Sequence, residues 1–247
     1  MPYSGPPSPS VRVPAPITAL SRGRPILPVW QNELGGLTFR IGDGPDGLFA
    51  KWAPSHSGLD LAAEAVRLRW AGDFTPVPRV REQGADAEGS WLVTHGLPGD
   101  SAVSERWRAD PGRAVRAMGA GLRALHERLP VAECPFSWSV DRRLARARAV
   151  GVRVPADLPG PPPVDRLVVC HGDPCAPNTL LHDDGSWAAH VDMGALGVAD
   201  RWADLAVATW NTRHNYGPGW EDDLLDAYGI APDPQRTAFY RRLWSVT

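Results

Sequence analysis

The sequence predicts an α+β protein with two lobes, a small β-rich N-terminal lobe and a larger, mainly helical C-terminal lobe. Short apolar segments separated by glycine and proline turns come first, and apolar stripes with helical spacing follow. The Gly-Leu-Pro-Gly segment at 96–99 is typical of a hinge. We therefore expect a leader over 1–28, an N-terminal lobe over 29–96 and a C-terminal lobe over 97–247. The leader holds eight prolines and is predicted to be mobile or extended.

Composition excludes several classes of protein. A net charge of −2 argues against a broad nucleic-acid surface. No apolar run approaches the roughly 20 residues that span a bilayer, and no basic segment followed by an apolar one marks the start for secretion. Cys134, Cys170 and Cys175 form neither an even disulfide framework nor paired zinc ligands. We therefore expect a reduced, cytoplasmic protein.

Strands of the N-terminal lobe are predicted from alternating apolar residues and turns. Residues 34–41 suggest a strand or hairpin around Gly35-Gly36, 42–47 is a strong turn signal, and 48–52 returns as a strand. A helix is predicted over 60–70, where apolar residues recur at helical spacing. A further hairpin ends at 90–94.

The C-terminal lobe is predicted to be mainly helical. A stripe with 3-4-3-4 spacing indicates a core helix, and its members are Val115, Met118, Leu122, Leu125 and Leu129. Further helices are expected at 141–150, 202–212, 220–228 and 234–244. Two short strands, 167–170 and 188–192, enclose the densest polar segment of the chain. A proline-rich surface connection is expected at 155–163.

That polar segment carries the chemistry. It reads His-Gly-Asp-Pro-Cys-Ala-Pro-Asn over 171–178, and Asp192 stands at the end of the next predicted strand. We expect these groups at the ends of neighbouring strands. Two carboxylates and an amide suit Mg²⁺, which takes oxygen ligands and keeps waters and substrate phosphates as well. A remaining carboxylate can accept a proton from a hydroxyl, so the segment predicts phosphoryl transfer.

Lys51 is the only lysine among 26 basic residues. The arginine excess suggests a GC-rich coding bias, under which a surviving lysine can mark a place where a compact ammonium is needed. Glu64 lies on the flank of the apolar face of the next predicted helix. A solvated surface pair is the alternative interpretation of Lys51 and Glu64.

Taken together, His171-Gly172-Asp173, Asn178 and Asp192 with Gly194 resemble the catalytic and metal-binding loops of the aminoglycoside phosphotransferase family, which has a protein-kinase-like fold. The stretch 200–206, Asp-Arg-Trp-Ala-Asp-Leu-Ala, extends the resemblance. Lys51 and Glu64 resemble the kinase lysine–glutamate pair. The resemblance covers about 30–244 and is strongest in the C-terminal lobe.

This resemblance implies an ATP- and Mg²⁺-dependent kinase with nucleotide binding in the N-terminal lobe and catalysis and substrate binding in the C-terminal lobe. Asp173 would orient or deprotonate the acceptor hydroxyl, while Asn178 and Asp192 would hold Mg²⁺. The implied nucleotide-binding residues are Lys51, Glu64, Thr94, His95, Gly96 and Leu97, the last four through backbone groups to adenine. His171 would support the loop. Asp200 and Asp204 are expected to be loop and helix-start ligands rather than catalysts.

For the acceptor, the motifs are most similar to streptomycin 3″-phosphotransferases, with kanamycin-type 3′-kinases as the alternative. The latter commonly carry arginine where this chain has Ala195, and an acidic, aromatic tail in place of 243–247. A kinase of another small alcohol, such as homoserine or choline, stays open. A non-enzymatic binding module normally lacks a carboxylate or the lysine, and all are present here. The sequence leaves the oligomeric state open, with a monomer slightly favoured.

Overall fold

The computed structural model describes residues 5–44 and 47–247. The described residues form two compact units. The first comprises the described residues up to Asp73 together with 77–97, and the second comprises 74–76 and 98–247. The division at 97 lies one residue from the boundary expected from the sequence. Positions 45 and 46 of the turn predicted at 42–47 lie outside the described residues.

A five-stranded antiparallel sheet forms the body of the first unit. Its elements in chain order are α1 (Ala15–Ser21), β1 (Ile26–Gln31), β2 (Leu37–Ile41), β3 (Leu48–Pro54), α2 (Leu61–Ala71), β4 (Val80–Ala85) and β5 (Gly89–His95). The strands lie in the order β1-β2-β3-β5-β4. In this register Lys51 of β3 faces Thr38 of β2 and Leu92 of β5, so the single lysine lies on the central strand. The two hairpins and the helix predicted from the sequence are confirmed.

The prediction of a mobile or extended leader over 1–28 is wrong for much of that segment. Pro14 precedes α1 and Pro16 occupies its first turn, where a missing N–H costs no hydrogen bond. Prolines that suggest disorder in the sequence therefore begin a helix. Ile17 is fully buried in an apolar cluster with Phe39 and Ile41 of β2, and β1 already begins at Ile26. This packing makes α1 part of the first unit's core.

Short β segments and long helices make up the second unit. Its elements are β6 (Asp100–Ser101), α3 (Glu105–Ala109), α4 (Pro111–Arg128), α5 (Val140–Ala149), β7 (Leu167–Cys170), β8 (Thr179–Leu181), β9 (Trp187–His190), β10 (Gly197–Asp200), α6 (Trp202–Tyr216), α7 (Glu221–Tyr228) and α8 (Pro234–Trp244). The stripe predicted on α4 is buried throughout, which confirms it as core. Among the helices of the described chain, none has the length and apolar character to cross a membrane.

Three details of the second unit differ from the sequence-based expectation. The predicted strands 167–170 and 188–192 are not neighbours, because β7 pairs with β10 while β9 pairs with β8 in a separate sheet. The second strand also ends at His190, which leaves Asp192 in the loop beyond it. The small strands β6, β8 and β10 were not predicted, since two to four residues are too few to show alternation. Asp173 and Asp192 are therefore brought together by loops rather than by strand pairing.

Candidate active site

The polar loop, residues 171–178, leaves β7 and is fixed at its start by a carboxylate of α6. Asp204 accepts the backbone N–H of His171 at 2.6 Å and that of Gly172 at 2.9 Å, one on each oxygen. Gly172 has φ +87°, and a side chain there would place its Cβ 2.4 Å from the Ala195 carbonyl oxygen. Only glycine fits this position. The loop therefore begins in a single, closely determined conformation.

Asp204 is fully buried and is kept charged by its neighbours. Burial alone would raise its pKa, but the hydrogen bonds from the His126 side chain and the Gly172 N–H hold the pKa below its ordinary value. His126 lies 2.9 Å from Asp204 through Nε2 and 2.8 Å from the Tyr228 hydroxyl through Nδ1. Burial raises the pKa of Tyr228 to about 12, so the phenol keeps its proton and can donate a hydrogen bond to Nδ1 of His126. Nε2 then carries the hydrogen that Asp204 accepts.

The His171 ring connects the loop to the segment that carries Asp192. Its Nδ1 accepts the Asp173 N–H at 3.2 Å, which assigns the hydrogen to Nε2. Nε2 donates to the Val191 carbonyl at 3.0 Å, one residue before Asp192. The ring is fully buried and also packs edge-on against His190, with the ring centroids 5.5 Å apart. The predicted supporting role of His171 is confirmed.

Asp173 is half-buried and both of its carboxylate oxygens accept hydrogen bonds. The Cys175 thiol donates to Oδ1 at 2.7 Å, and the Asn178 amide donates to Oδ2 at 3.2 Å. Burial is the main reason that the pKa of Asp173 is raised, and the nearby charge of Asp192 adds to it. Asp173 therefore binds a proton more readily than an exposed aspartate does, as a general base requires.

Asn178 and Asp192 are joined through the backbone, because the Val191 N–H donates to the Asn178 carbonyl at 2.9 Å. The Asn178 amide nitrogen donates to the Asp173 carbonyl at 3.0 Å. A carbonyl only accepts, so this bond fixes the amide with its NH₂ toward Asp173 and Oδ1 on the other side. Asp192 has φ +65°, a conformation that non-glycine residues seldom adopt and that is concentrated at functional sites. An amide oxygen and a carboxylate are both ligand types that Mg²⁺ accepts.

The first unit holds the second group of predicted residues. Lys51 Nζ lies 2.7 Å from Glu64 Oε1, and the Glu64 side chain is only 5% exposed. The alternative of a solvated surface pair is therefore wrong for Glu64. Thr94 and His95 lie in β5, and Gly96 and Leu97 follow it. The N–H groups of His95 and Gly96 already donate to backbone carbonyls, so they are engaged within the unit.

The structure thus brings the predicted residues together in two groups. Asp173, Asn178 and Asp192 meet in the second unit, and Lys51 meets Glu64 in the first. Asp200 accepts the Trp202 N–H at the start of α6, which confirms its expected role as a helix-start ligand. Asp204 is confirmed as the loop ligand. Contacts of these residues with nucleotide and metal stay predictions.

Several residues that shape this site were missed from the sequence. They are His126, Cys175, Asn211 and Tyr228. His126 carried a signal: it comes four residues after Leu122 of the buried stripe on α4, and a polar residue on a buried face requires a partner. Asn211 and Tyr228 carried none, because Ala176 and His126, which they contact, lie on other elements. Cys175 lies in the same loop as Asp173, and nothing in the sequence distinguishes its thiol as a donor to that carboxylate.

Cys170 adds a thiol to His126 and Asp204, and their ligand atoms lie within 4.8 Å of one another. All three side chains are buried and already hydrogen-bonded, Cys170 to the Asp200 carbonyl at 3.4 Å. Burial also raises the pKa of Cys170, which favours the thiol over the metal-binding thiolate. The cluster is therefore a hydrogen-bonded support beneath the polar loop rather than a metal centre.

A β-rich unit in which a lysine pairs with a buried glutamate and a helical unit with this oxygen-rich loop define a phosphotransferase with a kinase-like fold. The chain belongs to the phosphotransferase enzyme family, whose model matches residues 32–240. The resemblance noted from the sequence is confirmed.

Relatives agree with this assignment. The chain is 36% identical over 247 residues to an aminoglycoside 3′-phosphotransferase of Streptomyces fradiae, covering 86% of this chain and 91% of the relative. It is 36% identical over 254 residues to a streptomycin 3″-kinase of Streptomyces griseus, covering 90% and 92%. The structure of the aminoglycoside phosphotransferase APH(3″)-Id from Streptomyces rimosus superposes with a TM-score of 0.74 at 29% identity, covering 93% of this chain and 95% of that one. The same enzyme in complex with ADP and streptomycin gives a TM-score of 0.68 at 30% identity, covering 85% and 90%.

The Asp204 contacts predict a pH-dependent contribution to stability. Because the folded pKa of Asp204 lies below its ordinary value of 3.8, its contribution is fully present above that value and is lost as pH falls through the folded pKa. We expect Asp204→Asn to lower the free energy of unfolding by about 2–4 kcal/mol near neutral pH. The difference between the free energies of unfolding of the variant and the parent should become smaller below about pH 4. Urea unfolding of both proteins from pH 7 to pH 3 measures it, and a difference that stays constant would contradict the assignment.

Proposed function

We propose that the protein phosphorylates a hydroxyl group of an aminoglycoside antibiotic, using ATP and Mg²⁺, and thereby confers resistance. The 3″-hydroxyl of streptomycin is the proposed acceptor. The observation that carries the proposal is the Asp173 carboxylate, oriented by two donors and placed beside Asn178 and Asp192. The cytoplasm is the proposed location, since it supplies ATP and keeps thiols reduced, and Cys134, Cys170 and Cys175 form no disulfide.

Asp173 is the proposed acceptor of the hydroxyl proton. Hydrogen bonds from Cys175 and Asn178 hold its carboxylate in one orientation, which suits alignment of a hydroxyl for in-line attack. Its raised pKa strengthens it as a base. Phosphoryl transfer involves little other covalent chemistry, so orientation supplies most of the protein's contribution.

The remaining groups are assigned to the nucleotide. Asn178 and Asp192 would hold Mg²⁺, which when bound offsets the negative charge of the phosphates. Lys51 would contact those phosphates, and Glu64 would keep its ammonium in place through the ion pair of 2.7 Å. Residues 94–97 would contact adenine through backbone groups other than the engaged N–H groups of His95 and Gly96.

Two features of this chain favour streptomycin over kanamycin-type aminoglycosides as the proposed acceptor. Equal identities of 36% to a 3′-phosphotransferase and to a streptomycin 3″-kinase favour neither. Ala195 stands where the 3′ enzymes commonly carry arginine. Its carbonyl oxygen lies where it would clash with any side chain at Gly172. The tail 243–247 lacks their acidic character. Phosphorylation at a 3′-hydroxyl is the second candidate, supported by the Streptomyces fradiae relative.

A transfer assay with a panel of acceptors tests the function. Purified protein with ATP and Mg²⁺ is offered streptomycin, kanamycin and neomycin, with homoserine and choline as controls. We expect kcat/KM to be highest for streptomycin, and we expect homoserine and choline to react only at background rates. Preference for kanamycin or neomycin would support the 3′ alternative, and turnover of choline or homoserine alone would overturn the aminoglycoside assignment.

Asp173→Asn tests the proposed base. We expect the variant to fold and bind nucleotide but to lose at least about 10²-fold in turnover, the low end of what positioned proton transfer contributes. Single-turnover transfer from ATP is the measurement, with ADP binding as the control for an intact nucleotide site. A rate within threefold of the parent would remove Asp173 from this role.

Lys51 can be tested by labelling, because it is the only lysine in the chain. An acyl-phosphate analogue of ATP should acylate Lys51 stoichiometrically, and ATP with Mg²⁺ should protect it. Lys51→Arg should lose activity although it keeps the charge, because a planar guanidinium does not replace a compact ammonium. Peptide mapping with and without ATP reads the result. Unprotected labelling together with a fully active arginine variant would refute the phosphate contact.

A further inference from the structure

Helix α6 reaches the polar loop at a second point that the proposed chemistry does not use. Asn211 accepts the backbone N–H of Ala176 on Oδ1 at 2.6 Å. It lies seven residues after Asp204, or about two helical turns, so both side chains leave the same face of α6. Asp204 holds the first two residues of the loop and Asn211 holds its sixth. One rigid helix therefore contacts both halves of the loop.

A neighbour one turn along α6 fixes the orientation of the Asn211 amide. The Asn215 side-chain nitrogen donates to Asn211 Oδ1 at 2.8 Å and to the Asn211 carbonyl at 3.0 Å. Oδ1 thus accepts two N–H groups, from Asn215 and from Ala176, and the opposite amide orientation would turn NH₂ toward both donors. The acceptor is held in place before any ligand binds.

The group that Asn211 holds is one that the loop itself cannot satisfy. Ala176 is fully buried and begins a short 3-10 turn, Ala176–Asn178. The first N–H groups of a helical turn have no partner within the turn. Asn211 supplies that partner, and Asn178, the last residue of the turn, is the proposed Mg²⁺ ligand. Cys175, which donates to Asp173, comes directly before the turn.

We propose that Asn211 is a positioning residue for the second half of the polar loop. By accepting the Ala176 N–H it sets the turn that presents Asn178 to Mg²⁺ and keeps the Cys175 thiol against Asp173. Loss of the acceptor leaves a buried N–H without a partner, which drives the turn away from α6. Since Asp204 still holds His171 and Gly172, the displacement is confined to 175–178. The metal and catalytic roles in this inference rest on the proposed function.

Two substitutions at one position isolate the acceptor. Asn211→Leu keeps a similar volume and removes the oxygen, whereas Asn211→Asp keeps an oxygen in the same place. Phe239→Leu, a buried change in α8, is the matched control for general loss of stability. The readouts are amide hydrogen exchange at Ala176, the alkylation rate of Cys175 relative to Cys134, and the Mg²⁺ concentration for half-maximal turnover.

For Asn211→Leu we expect exchange at Ala176 to be at least about tenfold faster, the factor that corresponds to about 1.4 kcal/mol. Alkylation of Cys175 should accelerate, and the half-maximal Mg²⁺ concentration should rise at least about fivefold while KM for ATP stays within about twofold. Asn211→Asp should stay close to the parent in all three readouts. Phe239→Leu should lower the melting temperature without raising the Mg²⁺ requirement.

Unchanged exchange at Ala176 in Asn211→Leu would overturn the inference, as would an equal rise in the Mg²⁺ requirement for Phe239→Leu. Faster exchange with an unchanged Mg²⁺ requirement would reduce Asn211 to a purely structural residue and so overturn its positioning role. Exchange and alkylation need neither ATP nor acceptor. A parent protein that phosphorylates no aminoglycoside would therefore refute the proposed function while the two loop readouts still decide the Asn211 contact.

Discussion

The Asp204 carboxylate, which accepts two consecutive backbone N–H groups, is the constraint on which the polar loop depends. Backbone donors buried without a partner are costly, and the start of this loop has no strand partner for the His171 and Gly172 N–H groups. A charged acceptor at full burial is itself costly, and His126 with Tyr228 offsets that cost from two other helices. Helices α4, α6 and α7 together therefore fix the start of the loop that carries Asp173.

Given that support, the loop can hold groups that would otherwise be unfavourable. The pKa of Asp173 is raised by burial, and its neighbour Asp192 combines like charge with a left-handed backbone conformation. Such unfavourable features persist only where several independent contacts fix the same conformation. The His171 ring and the Val191 N–H, which tie the loop to the Asp192 segment, provide this redundancy. Rigidity beneath the loop and strain within it are thus parts of one arrangement, which suits a reaction that depends on positioning.

The sequence identifies the residues that are proposed to react or to hold Mg²⁺ more readily than it identifies the residues that support them. Asp173, Asn178 and Asp192 lie within about twenty residues, and their spacing alone suggests an oxygen-rich site. The supporting residues His126 and Tyr228 are 102 positions apart, so only the tertiary packing of α4 against α7 reveals their contact. The prediction of a mobile leader over 1–28 is wrong for a different reason, because prolines break a helix interior but are accepted in its first turn, as at Pro16. Functional groups that lie close together in the sequence can be predicted from it, whereas contacts between distant elements cannot.

The location of the phosphate on the product tests phosphoryl transfer to streptomycin most directly. Streptomycin incubated with the protein, ATP and Mg²⁺ should yield a single monophosphate, and a two-dimensional ¹H–³¹P NMR correlation should connect its phosphorus to the 3″-proton. Omission of either ATP or Mg²⁺ should abolish the product. A phosphorus correlation to any other streptomycin proton, or complete recovery of unmodified streptomycin under conditions where the protein is folded and binds ATP, would contradict the account.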